Sequence, residues 1–267
     1  MVSARELVPG LISVVIPVGE VNDWLNEAVS SVLRQSEASF EVIAVFNNGA
    51  EIPPDWPPLS DPRVRTLTFR EPLGSGGAGQ AGIEAATGQF FVRLDADDRM
   101  RPERLREQLD WLNTHPTCVL VSSQVDWIDE DGRRTGAFRL PFGRDVRKYL
   151  LSLNVCPHSS WMARMEDVRQ VGGYDPLQTQ MDDYDLLLRL AVRGEVAILP
   201  STLTDYRLHG AQMSRAVKPW GRYIRVIRDR HRDLGAAIKI RATAARIRSL
   251  WWEAQQWIMF LGRKLRP

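Results

Sequence analysis

Short apolar runs alternate with amphipathic segments along the first half of the chain. Helical spacing of apolar residues marks NDWLNEAVSSVLRQS, with Asn22 as its N-cap, and PERLREQLDWLNTHP carries Pro102 in its first turn. Strands that alternate with helices predict a doubly wound α/β sheet. Five runs are typical of buried strands: LISVVIPV, FEVIAVF, RVRTLTF, GQFFVRLDAD and TCVLVSSQVDWID, the last followed by a predicted turn, DEDGRRTG.

Polar residues follow three of these runs directly. In α/β sheets, ligands bind outside the carboxyl ends of the strands. We therefore expect Pro17 to Glu20, Asn47 to Gly49 and Asp95 to Asp98 to surround one mouth of the sheet.

The segment VRLDADDRMRP places Asp95, Asp97 and Asp98 immediately after the fourth run. Neighbouring carboxylates raise each other's pKa unless a cation lies between them. Hard divalent ions prefer carboxylate oxygen, and Mg²⁺ commonly combines one or two carboxylates with substrate phosphates. The cluster predicts such a metal site; the alternative is a solvated turn in which Asp98 caps the next helix.

The glycine-rich stretch EPLGSGGAGQAG contains G-x-G-x-x-G at Gly74, Gly76 and Gly79, and Asp95 follows about 20 residues later. This pattern suggests a dinucleotide site. Such a site, however, normally occupies the first βαβ unit, and here the glycines follow the third strand. They are expected to let the backbone approach a nucleotide or phosphate closely, or to form a flexible surface loop.

Charge is distributed unevenly along the 267 residues. The formal net charge is only +2, yet twelve Lys and Arg follow Pro219 against three acids. Two cysteines, no long apolar run and no cleavable leader predict a reduced, cytoplasmic location rather than a disulfide scaffold or a membrane span.

The C-terminal segment has a helical pattern in which Leu250, Ala254, Trp257, Leu261 and Leu265 share one face. Tryptophan beside Lys and Arg suits a helix in a membrane interface. The alternative is that this helix packs on the rest of the chain or on a second copy as a homodimer. Nucleic acid is not expected as a partner, because the acidic cluster would oppose it.

Six segments, in order between Leu11 and Ser214, together resemble the inverting family-2 glycosyltransferases of the GT-A fold. That ordered set is more specific than any one motif. The segments are ISVVIPV, SSVLRQSEASFEVIAV, GQFFVRLDADDRMRPERL with its D-x-D, CPHSSWMARMEDVRQVGGYD, MDDYDLLLRLAVRG and YRLHGAQMS.

The resemblance implies a GT-A catalytic domain over residues 1–215, with a mixed sheet flanked by helices, and a basic, Trp-rich helical extension over 216–267. It implies a nucleotide-diphosphate sugar donor and Mg²⁺ or Mn²⁺ as cofactor. Asp97 would bind the metal, with His209 near it, and Asp95 would contact the donor ribose or the metal shell. Asp183 matches the catalytic base that deprotonates the acceptor hydroxyl.

The remaining roles follow from the same resemblance. Asp182 replaces the usual glutamate before the base, and Asp185 suits the first turn of that helix. Arg207 and Arg215 are candidates for phosphate contacts or solvated side chains, and Trp161 is expected in the core rather than as a sugar platform. Donor-binding candidates are Pro17, Val18, Glu20, Asn47, Gly76, Ala96, His158 and Ser159.

Departures from the family pattern leave alternatives open. Gly19, Phe46 and Gly79 stand where the family commonly has other residues. These differences leave the identity of the donor's nucleobase undetermined. They also keep open the alternative that the chain is a catalytically impaired nucleotide-sugar-binding protein. A nucleotidyltransferase would share the metal and phosphate chemistry. The Gln-x-x-Arg-Trp motif of processive polysaccharide synthases is missing, which favours transfer of a single sugar. The expected acceptor is a sugar or a lipid-linked sugar in glycan synthesis, at the inner face of the membrane.

Overall fold

The structure is a computed structural model that describes residues 6–36, 39–178, 180–210, 212, 220–231, 234 and 236. The strands are β1 (Val8–Val18), β2 (Phe40–Phe46), β3 (Val64–Thr68), β4 (Gly88–Arg93), β5 (Arg99–Met100), β6 (Cys118–Ile128), β7 (Arg134–Phe138), β8 (Met162–Arg164) and β9 (Glu195–Arg207). The helices are α1 (Asp23–Leu33), α2 (Gly74–Ala85), α3 (Arg104–Thr114), α4 (Arg147–Leu150), α5 (Met165–Gln170), α6 (Asp182–Arg193) and α7 (Trp220–Arg230). Short 3₁₀ helices cover Pro57–Ser60 and His158–Ser160.

All of these strands join one sheet in the order β3-β2-β1-β4-β8-β6-β9-β5, with β7 paired to β6. The β3-β2-β1-β4 half is parallel. Beyond it, β8 runs antiparallel to both β4 and β6, and β5 runs antiparallel to β9. The α/β fold with a mixed sheet and flanking helices is therefore confirmed, whereas a uniformly parallel, doubly wound sheet is not what forms.

Local signals explain several element boundaries. The side chain of Asn22 accepts hydrogen bonds from the backbone N–H groups of Trp24 and Leu25, so it caps α1 as expected. The predicted turn after β6 is shorter than expected: it ends at Arg133, because Arg134 to Phe138 pair with β6 as an additional strand.

Two apolar clusters cover the two faces of the sheet. One contains residues of α1 and α3, and the other contains residues of α2, α5, α6 and α7. Trp161 is completely buried in the second cluster, in agreement with its expected core position. The carboxyl ends of the parallel strands remain open at one edge between these layers.

The glycines of α2 serve close packing. A Cβ at Gly82 would lie 2.2 Å from Val15 Cγ1, and one at Gly79 would lie 2.7 Å from Tyr174 Cε2. Only hydrogen at these positions allows α2 to lie directly on β1 and on the loop after α5. The glycine pattern thus follows from helix packing at the third βα unit rather than from a dinucleotide fingerprint.

The described part of the C-terminal extension is helical and packs on the rest of the chain. Ile224 and Ile227 of α7 are buried in the cluster that includes α6, and His231 Nε2 lies 2.7 Å from Asp185 Oδ1. The Trp-rich face between Leu250 and Leu265 and the predicted contact Arg215 lie outside the described residues. No helix within the described ranges is long and apolar enough to cross a bilayer.

Arg104 connects α3 to the edge of the sheet where the polar residues collect. Its side chain is fully buried and donates to three backbone carbonyls, those of Ser159 (2.6 Å), Arg93 (3.0 Å) and Trp161 (3.1 Å). These bonds join the end of β4 to the 3₁₀ helix beside it.

We predict that Arg104→Met lowers the free energy of unfolding by about 3 kcal/mol, because it leaves buried carbonyl groups without donors. The control Arg106→Met removes an arginine two residues later on α3. This side chain is exposed and forms an ion pair with Glu103, so its loss should leave stability nearly unchanged. Urea unfolding measures both; equal losses would contradict the assigned role of Arg104.

Candidate active site

A cavity of about 1520 Å³ opens at the carboxyl ends of β1, β2 and β4, as the sequence predicts. Residues from both halves of the chain line it. Ten of the expected site residues are in its wall: Pro17, Glu20, Asn47, Asp95, Ala96, Asp97, His158, Asp182, Asp183 and His209.

Three carboxylates converge in the loop after β4. Asp95, Asp97 and Asp98 each bring one carboxylate oxygen within 4.8 Å of the others. Burial raises the pKa of Asp97, and the neighbouring Asp95 adds to the increase. Burial also raises the pKa of Asp98 well above its usual value, with a further contribution from Asp97. A cation at this point would offset both the cost of burying these carboxylates and the repulsion between them.

His209 completes this end of the cavity. Its Nε2 lies 2.8 Å from Asp97 Oδ2, and its ring lies against the indole of Trp24, with centroids 4.7 Å apart. The donor set is therefore carboxylate oxygen with one imidazole nitrogen, facing the cavity. That chemistry fits Mg²⁺ or Mn²⁺ with open positions for phosphate oxygens.

Arg93 is a buried cation that the sequence analysis missed. It lines the cavity at the end of β4, and its guanidinium donates to Asp95 Oδ1 and Ser75 Oγ, both at 2.8 Å. Burial alone would raise the pKa of Asp95, but the charge and hydrogen bond of Arg93, with contributions from His158 and Arg104, lower it overall. Asp95 is thus the carboxylate of the cluster that is held ionised without a metal.

Arg207 has a structural role instead of the expected contact with phosphate. The side chain is fully buried and does not line the cavity. It donates to the carbonyl of Asp97 (2.8 Å) and to Glu27 Oε2 (2.6 Å), and its backbone N–H donates to Asp98 Oδ1 (2.8 Å). Arg207 therefore fixes the backbone that presents the acidic cluster.

Asp183 lines the cavity at the start of α6. Its carboxylate accepts hydrogen bonds from Asn154 Nδ2 (2.8 Å) and from the backbone N–H of Tyr184 (2.7 Å). Burial raises the pKa of Asp183 to about 7, with the adjacent Asp182 as the next cause. A carboxylate with this pKa and a fixed orientation is suited to accept a proton near neutral pH.

The chain enters α6 through a strained backbone. Met181 adopts φ 54°, a left-handed conformation that is uncommon for a residue with a side chain, directly before the two aspartates. Asp182 packs against Gly76, where a Cβ would meet its carboxylate. Asp185, in the first helical turn, forms an ion pair with Arg189 at 2.8 Å and does not line the cavity.

Asn47 lies at the opposite end of the cavity, after β2. Its backbone N–H and its Nδ2 donate to the carbonyl of Val18 at 2.9 and 3.1 Å. The side chain of Val18 is itself buried in the core. Pro17 and Glu20 lie beside Asn47 in the wall.

Two residues of the His-Ser-Ser segment have different positions. His158 lines the cavity, and its Nε2 lies 2.6 Å from Tyr174 Oη. Burial lowers the pKa of His158 to about 3, with Arg93 contributing, so the ring stays neutral near pH 7. Ser159 is fully buried, and its Oγ accepts a hydrogen bond from the backbone N–H of Asp95 at 2.9 Å.

Four expected contacts therefore lie behind the wall rather than in it: Val18, Gly76, Ser159 and Arg207. Other side chains in the wall were not expected. Asn154 and Ile224 come from a loop and from the extension, and no local sequence signal marks them. Arg93 and Trp127 carry a weak signal, because a charge and a large aromatic ring stand at the ends of strands. The unexpected wall residues include Trp24, Arg93, Trp127, Asn154, Tyr206 and Ile224.

Comparisons with known proteins agree with this architecture. Residues 13–172 match the profile of Glycosyl transferase family 2. The amylovoran biosynthesis glycosyltransferase AmsE of Erwinia amylovora is 29% identical over 203 residues, 73% of this chain and 74% of AmsE. The succinoglycan biosynthesis protein ExoO of Rhizobium meliloti is 29% identical over 212 residues, 73% of this chain and 60% of ExoO.

A solved structure shares the fold. The crystal structure of S. aureus TarS 1-349 in complex with UDP-GlcNAc aligns with a TM-score of 0.66 and 13% identity, covering 90% of this chain and 70% of that one. The family match spans more than half of the chain. The chain therefore belongs to glycosyl transferase family 2 and is a glycosyltransferase with the GT-A fold.

Proposed function

We propose that this glycosyltransferase moves one sugar, with inversion, from a nucleoside-diphosphate donor to an acceptor hydroxyl in a metal-dependent reaction. One observation carries the proposal: the Asp97–His209 pair and the aspartate Asp183 line the same cavity. Inverting transfer needs a charge-stabilising group at the leaving diphosphate and a base on the other side of the sugar. The two groups supply these separate requirements.

Asp97 and His209 would hold the metal ion, with Asp95 beside them. When bound, the ion supplies positive charge that stabilises the departing diphosphate. Arg93 keeps Asp95 ionised, and Arg207 holds the carbonyl of Asp97. The neutral ring of His158 would line the donor site without adding charge.

Asn47 would contact the nucleobase and Pro17 and Glu20 would flank it. The amide of Asn47 is held by the carbonyl of Val18, which fixes the orientation of its oxygen. An amide both donates and accepts, so a pyrimidine or guanine edge is compatible. The relative TarS was solved with UDP-GlcNAc, which supports a nucleotide-sugar donor for this chain.

Asp183 would take the proton from the acceptor hydroxyl as that oxygen attacks the anomeric carbon. Asn154 holds one carboxylate oxygen, and the N–H of Tyr184 holds the other. The proton transfers to Asp183, the new bond forms from the acceptor oxygen to the sugar, and the diphosphate leaves with the bonding electrons. The raised pKa of Asp183 makes it a stronger base than an exposed aspartate.

The names of the relatives favour envelope or secreted polysaccharide synthesis as the setting, with a sugar or lipid-linked acceptor. A cytoplasmic enzyme at the inner face of the membrane would meet such an acceptor. The predicted membrane contact of the Trp-rich segment, or a homodimer through it, concerns residues that the structure does not describe. Co-sedimentation with anionic vesicles, compared with a chain that ends at residue 249, tests it.

Packing explains two of the departures that suggested an impaired protein. Phe46 is buried against Trp56, with ring centroids 5.4 Å apart, and Gly79 leaves space for Tyr174. Neither Phe46 nor Gly79 lines the cavity. A nucleotidyltransferase would have no use for a base at Asp183.

We predict that Asp97→Asn and Asp183→Asn both strongly reduce the rate of transfer but differ in donor binding. Asp183→Asn should reduce the rate by about 10²- to 10⁴-fold with donor affinity retained. Asp97→Asn should weaken Mg²⁺-dependent donor binding by at least about tenfold. The donor is the UDP- or GDP-sugar that most raises the melting temperature of the chain in the presence of Mn²⁺. Turnover assays then measure the rate, and calorimetry measures the donor affinity.

The control for both is Asp110→Asn, which changes an exposed acid on α3 outside the cavity wall. Donor binding without turnover in the unaltered chain, over a broad acceptor panel, would favour the impaired binding protein. Release of pyrophosphate instead of nucleoside diphosphate would favour the nucleotidyltransferase. Full turnover by Asp183→Asn would remove the base assignment.

We also predict that kcat/KM rises with pH through about 7, because only the deprotonated Asp183 accepts a proton. Asp182 raises the pKa of Asp183, so Asp182→Asn should move the acidic limb of the profile to lower pH. A pH–rate profile of both proteins measures this shift. A limb that stays in place or moves upward would contradict the coupling of the two carboxylates.

A further inference from the structure

Two aromatic residues stand side by side on neighbouring strands at one end of the cavity. Trp127 of β6 pairs in register with Tyr206 of β9, and with Gly136 of β7 on its other side. Residues directly opposite each other on paired strands project to the same face. Trp127 and Tyr206 both line the cavity, so this row belongs to its wall.

The glycine in this row explains the orientation of the indole. A Cβ at Gly136 would lie 3.1 Å from Cε3 of Trp127 and 3.8 Å from Cζ3. The six-membered ring of Trp127 therefore lies across β7, over the one residue type that has no side chain. Val125, two positions earlier on β6, also lines the cavity and extends the same apolar strip.

The aromatic row lies far from the nucleobase end of the cavity. Asn47 follows β2, and β6 is four strands away in the order β2-β1-β4-β8-β6. Neighbouring strands are about 4.8 Å apart, so roughly 19 Å of sheet separate the two. Asp95 and Asp97 follow β4, between them. With the nucleobase at Asn47 and the diphosphate at Asp97, the aromatic row is positioned to contact the group that binds next along the cavity.

Trp24, another aromatic residue in the cavity wall, contacts the metal end of the cavity instead. Trp24 packs against His209, and the guanidinium of Arg207 lies 5.2 Å from the centre of its ring. Trp24 thus supports the metal end, and its indole N–H donates to the carbonyl of Glu130 at 3.1 Å.

Pyranose rings match the row chemically. Such a ring has a face of C–H groups that packs on an aromatic surface, and a rim of hydroxyl groups that needs hydrogen-bonding partners. Polar side chains of Glu130, Asn154 and Gln180 line the same cavity. The helix that carries Asp183 packs against β6, the strand that carries Trp127.

We propose that Trp127 and Tyr206 form the acceptor subsite, on which a pyranose ring of the acceptor stacks. The assignment of the ring to the acceptor rests on the proposed function, since the donor occupies the Asn47 and Asp97 end. A sugar-terminated acceptor, rather than a bare lipid or a protein side chain, is the substrate class that this subsite takes.

The test is ¹⁹F NMR of the full chain labelled with 5-fluorotryptophan. The chain has nine tryptophans, and the spectra of Trp127→Phe and Trp24→Phe identify those two resonances. Methyl β-D-glucopyranoside and methyl β-D-galactopyranoside are the probes for the subsite, sorbitol is the acyclic control, and UDP or GDP with Mg²⁺ reports on the donor end. We expect at least one pyranoside to shift the Trp127 resonance at concentrations where sorbitol does not, and nucleotide to shift the Trp24 resonance.

Variants of the second ring sharpen the result. Tyr206→Ala should raise the pyranoside concentration at the midpoint of the Trp127 shift by at least about tenfold. Tyr206→Phe keeps the ring and should leave this concentration unchanged within about twofold. Trp111→Phe, on α3 and outside the cavity wall, is the matched control and should have no effect.

The outcomes separate the two proposals. A Trp127 resonance that no pyranoside shifts, or that responds to nucleotide or sorbitol instead, overturns the subsite, even when Trp24 responds to nucleotide and the proposed function stands. An unchanged midpoint in Tyr206→Ala also overturns it. A pyranoside shift at Trp127 without any nucleotide response at Trp24 supports a sugar subsite and counts against the donor proposal.

Discussion

The packing of five carboxylates close together, partly or fully removed from water, is the constraint on which this site depends. Asp95, Asp97 and Asp98 lie within one loop, and Asp182 and Asp183 face the same cavity from α6. Packed together away from water, acids become protonated unless cations or hydrogen bonds compensate them. Cations or hydrogen bonds lower the pKa of some of these five carboxylates and leave the pKa of others raised. This difference distinguishes their proposed roles.

Three fully buried arginines provide the compensation. Arg93 pairs with Asp95, Arg207 binds the backbone and side chain of the loop that follows, and Arg104 secures the end of β4 to the neighbouring 3₁₀ helix. None of the three replaces a cation at Asp97, whose pKa stays raised. The arrangement therefore suits a cation at Asp97. Asp183 has hydrogen bonds from two neutral donors and only a minor contribution from Arg93, so its pKa stays raised to about 7.

The sequence predicts the elements whose signals are local. FEVIAVF predicts β2 from Phe40 to Phe46 because it is a continuous apolar run. The positions of the D-x-D loop and of the α6 acids in the cavity wall were predictable because both lie in segments that resemble the family. It does not predict β8, since three residues carry no periodicity. The roles of Arg207 and Ile224 depend on contacts made by distant parts of the chain, which spacing along the sequence does not encode.

The proposed mechanism requires one cavity that holds a cation at Asp97 and His209 and a base at Asp183. The most direct measurement is the anomalous difference map of a crystal grown with Mn²⁺ and a nucleoside diphosphate. The proposed mechanism predicts a Mn²⁺ peak in contact with Asp97 and His209, with the diphosphate on its open side and Asp183 across the same cavity. Manganese bound away from both residues, or a nucleotide in a cavity that Asp183 does not line, would contradict it.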